Sequence, residues 1–135
     1  MGQAVRRGSC LCGDIRYEVE AEFGPATACH CIQCRKATGS YSIAAPVPRD
    51  SLSIKGDPRW FESSPGTRRG FCPDCGSYLF WDEGDGSIWV SLGTVDGATG
   101  TRVENHIFCA YKGDYENLTD AVPHHREGWS SEEIE

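Results

Sequence analysis

Six residues, Cys29-His30-Cys31-Ile32-Gln33-Cys34, hold three thiols and an imidazole, and two cations, Arg35-Lys36, follow at once. Cysteines this close cannot all pair with one another, because a disulfide demands a specific separation and direction of the two side chains. They can converge on one soft metal ion, for which thiolate is a preferred ligand. A second set, Cys10-Leu11-Cys12 with Cys72-Pro73-Asp74-Cys75, has the four thiols of a closed tetrahedral site. A chain organised this way must fold so that segments far apart in sequence meet around an ion.

The compartment matters to that reading. The chain has 135 residues and eight cysteines, and Met1 to Ser9 is polar and basic, without the apolar stretch of a secretory signal. In reducing cytosol, clustered cysteines hold metal or do redox work more often than they form structural disulfides. A cytoplasmic location is therefore expected. No apolar run approaches the roughly 18 residues needed to cross a bilayer, so no membrane association is expected. The formal charge of −7 argues against nucleic acid as a partner, since such proteins present a net basic surface. The cations instead come in pairs, Arg6-Arg7, Arg35-Lys36 and Arg68-Arg69, which leaves room for a local anion site.

Periodicity points to strands. Asp14 to Glu20 alternates with Ile15, Tyr17 and Val19 on one face, the period of a half-buried strand. Cys10-Leu11-Cys12-Gly13 before it reads as a tight knuckle in which Gly13 takes a positive φ, and Gly76 follows Cys75 in the same way. Further strands are expected at 41–45, 51–54, 59–62, 77–81, 87–92 and 105–111, each bounded by turn residues. The one helical turn expected is Arg35 to Thr38, ending at Gly39. Many short strands between turns imply a mainly β fold, a folded sandwich of short antiparallel strands. Trp60, Phe61, Phe80, Trp81 and Trp89 fall on strand positions and are expected in the core or in the wall of a cleft.

The two cysteine sets differ in completeness. Cys10, Cys12, Cys72 and Cys75 make a full tetrathiolate, the usual structural zinc. Cys29, Cys31 and Cys34 leave a zinc one ligand short. The fourth is open between Cys109, His30, His106, water and a substrate, and an open position separates catalytic from structural zinc. His30, lying between two ligands, is expected to pack or to hydrogen-bond a sulfur. His124 and His125 are expected at the surface.

Three stretches carry a resemblance: Gly8-Ser9-Cys10-Leu11-Cys12-Gly13-Asp14-Ile15-Arg16-Tyr17, Cys29 through Gly39, and Phe71-Cys72-Pro73-Asp74-Cys75-Gly76-Ser77. In that order they resemble the glutathione-dependent formaldehyde-activating enzyme family, over about Gly8 to Thr119. His106-Ile107 matches the family's His-Ile, whereas Tyr115 stands where relatives often carry Trp, and Cys109 is additional. The resemblance implies a zinc-knuckle fold similar to the Mss4-like fold and two zinc ions. Cys10, Cys12, Cys72 and Cys75 would hold the structural ion, and Cys29, Cys31 and Cys34 the catalytic one. It implies a carbon–sulfur lyase acting on the glutathione, or other small-thiol, adduct of an aldehyde, with Arg35 and Lys36 expected to bind the anionic substrate. The alternative is a non-catalytic zinc-stabilised binding module. Domain limits are expected at 1–7 for an N-terminal arm, 8–122 for the zinc domain and 123–135 for a flexible acidic tail.

Overall fold

The computed structural model describes residues 5–134. Its ten strands run in chain order as β1 (Arg6–Ser9), β2 (Arg16–Val19), β3 (Ala26–Cys29), β4 (Ser42–Pro48), β5 (Leu52–Lys55), β6 (Arg59–Ser64), β7 (Thr67–Phe71), β8 (Tyr78–Asp82), β9 (Ser87–Ser91) and β10 (Val103–Ile107). A single α-helix, α1 (Ile32–Thr38), lies between β3 and β4. The mainly β expectation holds.

The strands form two sheets. The smaller has the order β1-β2-β5, and the larger the order β10-β3-β4-β9-β8-β7-β6. Every pairing is antiparallel except β10 with β3, which is parallel. The core lies between them. Tyr17 and Val19 point inward from β2, as their alternation predicts, to meet Ala45, Val47, Leu79, Phe80, Ile88 and Val90 of the larger sheet. The Tyr17 and Phe80 rings meet edge to face at 5.5 Å. Each of the large apolar side chains buried there contributes about 1.5–3 kcal/mol of transfer free energy.

Because side chains alternate along a strand, the larger sheet has a second face. Ala44 of β4, Trp81 of β8 and Trp89 of β9 project from it, one residue off register from the core-facing Ala45, Phe80 and Val90. The same alternation separates the paired arginines of β7. Arg68 goes to the outer cation–π stack on Trp60, 3.9 Å from the ring centroid, and to Asp82. Arg69 is buried on the opposite side.

Several expectations need correction. Arg6 and Arg7, assigned to an arm, belong to β1 and pair with Val19 and Glu18; residues 1–4 lie outside the described residues. The segment 123–134 is not a loose tail. His106 N–H donates to Pro123 O (2.9 Å), Cys109 N–H to His125 O (2.9 Å) and Ala110 N–H to Arg126 O (3.1 Å), so it adds an extended stretch alongside β10. His124 and His125 are consequently half-buried. The expected strand 105–111 stops at Ile107 because Phe108 adopts a left-handed backbone (φ 56°, ψ 37°). Phe61 is mainly exposed, not core. Among the described residues, no helix is long and apolar enough to cross a membrane.

Candidate functional site

The first cysteine set sits in two hairpin loops built alike. Between β1 and β2, Cys10 N–H donates to Ile15 O (3.0 Å) and Gly13 N–H to Cys10 O (3.2 Å); between β7 and β8, Cys72 N–H donates to Ser77 O (3.0 Å) and Gly76 N–H to Cys72 O (2.8 Å). Gly13 and Gly76 have φ of 84° and 80°, a region a side chain would disfavour. These turns aim the thiols inward. Cys10 Sγ lies 3.6 Å from Cys12 Sγ, which lies 3.8 Å from Cys72 Sγ. Those spacings fit the edge of a tetrahedron of metal–sulfur bonds of about 2.3 Å. All four sulfurs gather within 4.8 Å of one another.

Backbone N–H groups already point at these sulfurs, Ile15 at Cys10 (3.3 Å) and Cys75 at Cys72 (3.4 Å), so the loops are preset for thiolate. Hydrogen bonding from the Ser77 hydroxyl and backbone pulls the Cys75 thiol down to about 5. Cys10 is also lowered: burial opposes the shift, but the Ile15 backbone and the Cys12 and Cys72 thiols outweigh it. The set joins the smaller sheet to the larger one, and Leu11 N–H adds a bond to Ser77 Oγ across the junction (2.9 Å).

The second set is local. Cys29 ends β3, Cys31 caps α1, with its Sγ accepting from Cys34 N–H (3.3 Å), and Cys34 is buried in the first turn. The helix begins at Ile32 rather than Arg35, because the Cys31 cap starts it three residues early, and Gly39 closes it as expected. The three sulfurs lie within 4.8 Å of one another, and no other His, Cys, Asp or Glu among the described residues joins them at that range. Hydrogen bonds from the Cys29 and Cys31 thiols, with smaller help from Ser42 and the Arg69 guanidinium, hold the Cys34 thiol down to about 2. Cys29 is pushed up by the same sharing.

The candidates for a fourth ligand are occupied elsewhere. His30 Nε2 is 2.8 Å from His106 Nδ1, and its ring stacks on Tyr41 at 4.4 Å. Burial, then the neighbouring His106, lowers His30 to about 4, so it is neutral near pH 7. His106 Nε2 contacts Asp120 Oδ2 (2.8 Å), and Asp120 Oδ1 contacts His124 Nε2 (2.6 Å). This chain of rings fixes His30 behind the cysteines and ties segment 120–124 to β10. His106, Asp120 and His124 are also close enough to hold a metal. Here their atoms are satisfied by one another. Cys109 is buried, with its thiol pushed up by desolvation, and is not part of the trio.

What faces the three sulfurs is a cavity of about 380 Å³ on the second face of the larger sheet. Trp81, Trp89, Trp129, Ile107 and Phe108 wall it, and Arg69, Gln33 and Tyr78 supply its polar groups. Trp81 and Trp89 are cross-strand partners with rings at 6.3 Å, and Trp129 packs on Trp89 at 5.9 Å while its indole N–H donates to Thr27 Oγ1 (3.1 Å). Arg69 donates to Cys34 Sγ (3.5 Å), Tyr78 OH (2.9 Å), Gln33 Oε1 (3.1 Å) and Ser63 Oγ (3.2 Å). Burial lifts the Tyr78 hydroxyl to about 12, with Arg69 opposing; it stays protonated at neutral pH.

The residues anticipated for substrate lie elsewhere. Arg35 and Lys36 line a separate shallow depression with Ile32, Gly39 and Tyr115, and Arg35 Nη1 donates to Tyr111 O (3.0 Å). Tyr78 and Trp129 were not singled out for this site from sequence, whereas Arg69 belongs to the Arg68-Arg69 pair that left room for an anion site. Nothing local marked Trp129.

Comparison with known proteins agrees with the motifs. The family model described as glutathione-dependent formaldehyde-activating enzyme matches residues 5–111. A crystal structure of a Rhodobacter sphaeroides protein is similar, with a TM-score of 0.58 and 25% identity, covering 68% of this chain and 89% of that one. No curated protein matches. The chain belongs to the glutathione-dependent formaldehyde-activating enzyme family.

Proposed function

We propose that the protein is a zinc-dependent carbon–sulfur lyase that makes or breaks the bond between a small thiol, such as glutathione, and an aldehyde carbon. Formation of S-hydroxymethylglutathione from formaldehyde is the simplest such reaction. The observation that carries this reading is the three-sulfur set Cys29, Cys31 and Cys34, which has no fourth ligand among the described residues and opens onto a cavity. The complete set Cys10, Cys12, Cys72 and Cys75 would hold a structural zinc.

Zinc held by Cys29, Cys31 and Cys34 would keep a bound thiol deprotonated at neutral pH. The protein's own groups do the rest. In the forward direction the thiolate sulfur forms a bond to the carbonyl carbon, the C=O π pair moves to oxygen, and that oxygen takes a proton. Tyr78 is a donor suited to the last event. Its oxygen accepts from Arg69, which leaves its own O–H free for the cavity, and its raised pKa keeps the proton on at neutral pH. Solvent then returns a proton to Tyr78; in reverse, Tyr78 first yields its proton to solvent, and its oxygen takes the adduct's hydroxyl proton as the C–S bond breaks. Arg69 offsets negative charge at Cys34, and the indole walls limit water. His30 holds its ring behind the ligands as a positioning residue.

The test follows adduct formation between glutathione and formaldehyde by NMR exchange in the zinc-loaded protein. The expected result is acceleration by the wild type and none by Cys31→Ser. Equal rates with wild type, with the variant and without protein would leave the binding-module reading.

A further inference from the structure

The walls of the cavity differ from what an anionic peptide thiol requires. Glutathione carries two carboxylates and an ammonium, and each would need a partner once removed from water, at a cost of roughly 2 kcal/mol or more if left without one. Among the described residues, the only cation lining the cavity is Arg69. Four of its N–H groups are already directed at Cys34, Tyr78, Gln33 and Ser63, out of the five a guanidinium offers. Trp129 has likewise given its indole N–H to Thr27. Arg35 and Lys36 face a different depression. The remaining surface is mainly aromatic and aliphatic, broken by the hydroxyls of Thr27, Ser42, Ser64 and Thr67, and its volume of about 380 Å³ far exceeds the needs of a one-carbon aldehyde.

We propose that this cavity selects a thiol, or its aldehyde adduct, in which the carbon beside sulfur bears an uncharged aromatic or branched apolar group, and that Trp81, Trp89 and Trp129 recognise that group. The inference rests on the lyase reading and narrows its substrate class. The three indoles form a continuous wall: Trp81 and Trp89 stand nearly perpendicular at 82°, and Trp89 and Trp129 are inclined at 31°. A flat ring entering between them meets both faces and edges, the arrangements aromatic pairs prefer. The group reaches the sulfurs because Cys29, Cys31 and Cys34 line the same space. The thiol proton leaves to solvent, and no redox change is involved. The wall is assembled from β8, β9 and the segment after residue 123, so that segment is part of the specificity device.

The experiment titrates the full-length, metal-loaded protein with benzyl mercaptan, glutathione and 2-mercaptoethanol. Two readouts are followed, quenching of tryptophan fluorescence and the thiolate-to-metal absorption of the cobalt-substituted form. Benzyl mercaptan is expected to reach half-saturation at a concentration at least ten-fold below glutathione. Trp89→Ala, and separately Trp129→Ala, should raise the benzyl mercaptan midpoint by about ten-fold, the scale of one lost aromatic contact with its buried area, while metal content and the 2-mercaptoethanol midpoint stay unchanged. Glutathione binding as tightly as benzyl mercaptan, or midpoints unmoved in both tryptophan variants, would overturn the inference and leave the lyase reading standing. A cobalt spectrum unmoved by all three thiols would overturn the lyase reading, and the inference with it.

Discussion

The two cysteine clusters present the same atom type in opposite arrangements. Cys10, Cys12, Cys72 and Cys75 come from two loops on different sheets and complete one another, sulfur to sulfur, at tetrahedral spacing. Cys29, Cys31 and Cys34 come from one continuous stretch between β3 and α1, and their open side meets a cavity instead of a fourth ligand. The closed set joins distant parts of the chain, so the ligation energy of a metal held there would act on the fold. The open set is placed by structure that exists without it: the parallel pairing of β3 with β10 and the row of His30, His106, Asp120 and His124. Completeness, not ligand type, distinguishes the roles.

The largest effect should come from breaking the closed cluster. Metal–thiolate ligation in small zinc domains supplies on the order of 10 kcal/mol of folding free energy, comparable to the total stability of a domain of this size. Cys72→Ser is therefore expected to yield protein without cooperative thermal unfolding by circular dichroism. Retention of the wild-type transition would remove the structural role from this cluster.

A smaller effect sharpens the contrast, because the larger sheet also has a clamp that needs no metal. Asp82 is 3% exposed and receives Arg49, Arg68 (3.1 Å) and the Gly84 N–H (2.9 Å). The Arg49 hydrogen bond leads the causes that lower its carboxyl to about 2, against the cost of burial. A folded-state pKa below the unfolded value of about 3.9 contributes stability that is fully present above the unfolded pKa and is lost as pH falls through about 2. At pH 7, Asp82→Asn should cost about 2–3 kcal/mol, since a carboxyl lowered from about 3.9 to about 2 gains about 1.4 kcal/mol for each tenfold change in its ionisation constant, read as a lower denaturant midpoint. Both metals should stay bound. Loss of metal along with stability would mean that the clamp and the closed cluster are not independent.

What the chain made legible was the part encoded by short spacing. The knuckles, their glycines and the inward set Tyr17 and Val19 depend on residues a few positions apart. Strand β3 was hidden because Ala26-Thr27-Ala28 is buried on both faces and does not alternate, and β7 because two arginines and a glycine occupy its centre. The cavity's cation comes from the pair that lies farther along the chain. Arg35 and Lys36 adjoin Cys34 in sequence, but a helix turns them toward a different depression, whereas β7 crosses in front of α1 and delivers Arg69 to Cys34. Trp129 was beyond any local pattern. It reaches Thr27 only because segment 123–134 docks on β10.

The distinction between a closed cluster that holds the fold and an open one that holds a reactant is tested most directly by counting metal in Cys31→Ser. Elemental analysis should give two ions per chain in the wild type and one in the variant, with the thermal transition of the variant retained. A variant that keeps both ions, or that loses its fold along with one, would contradict it.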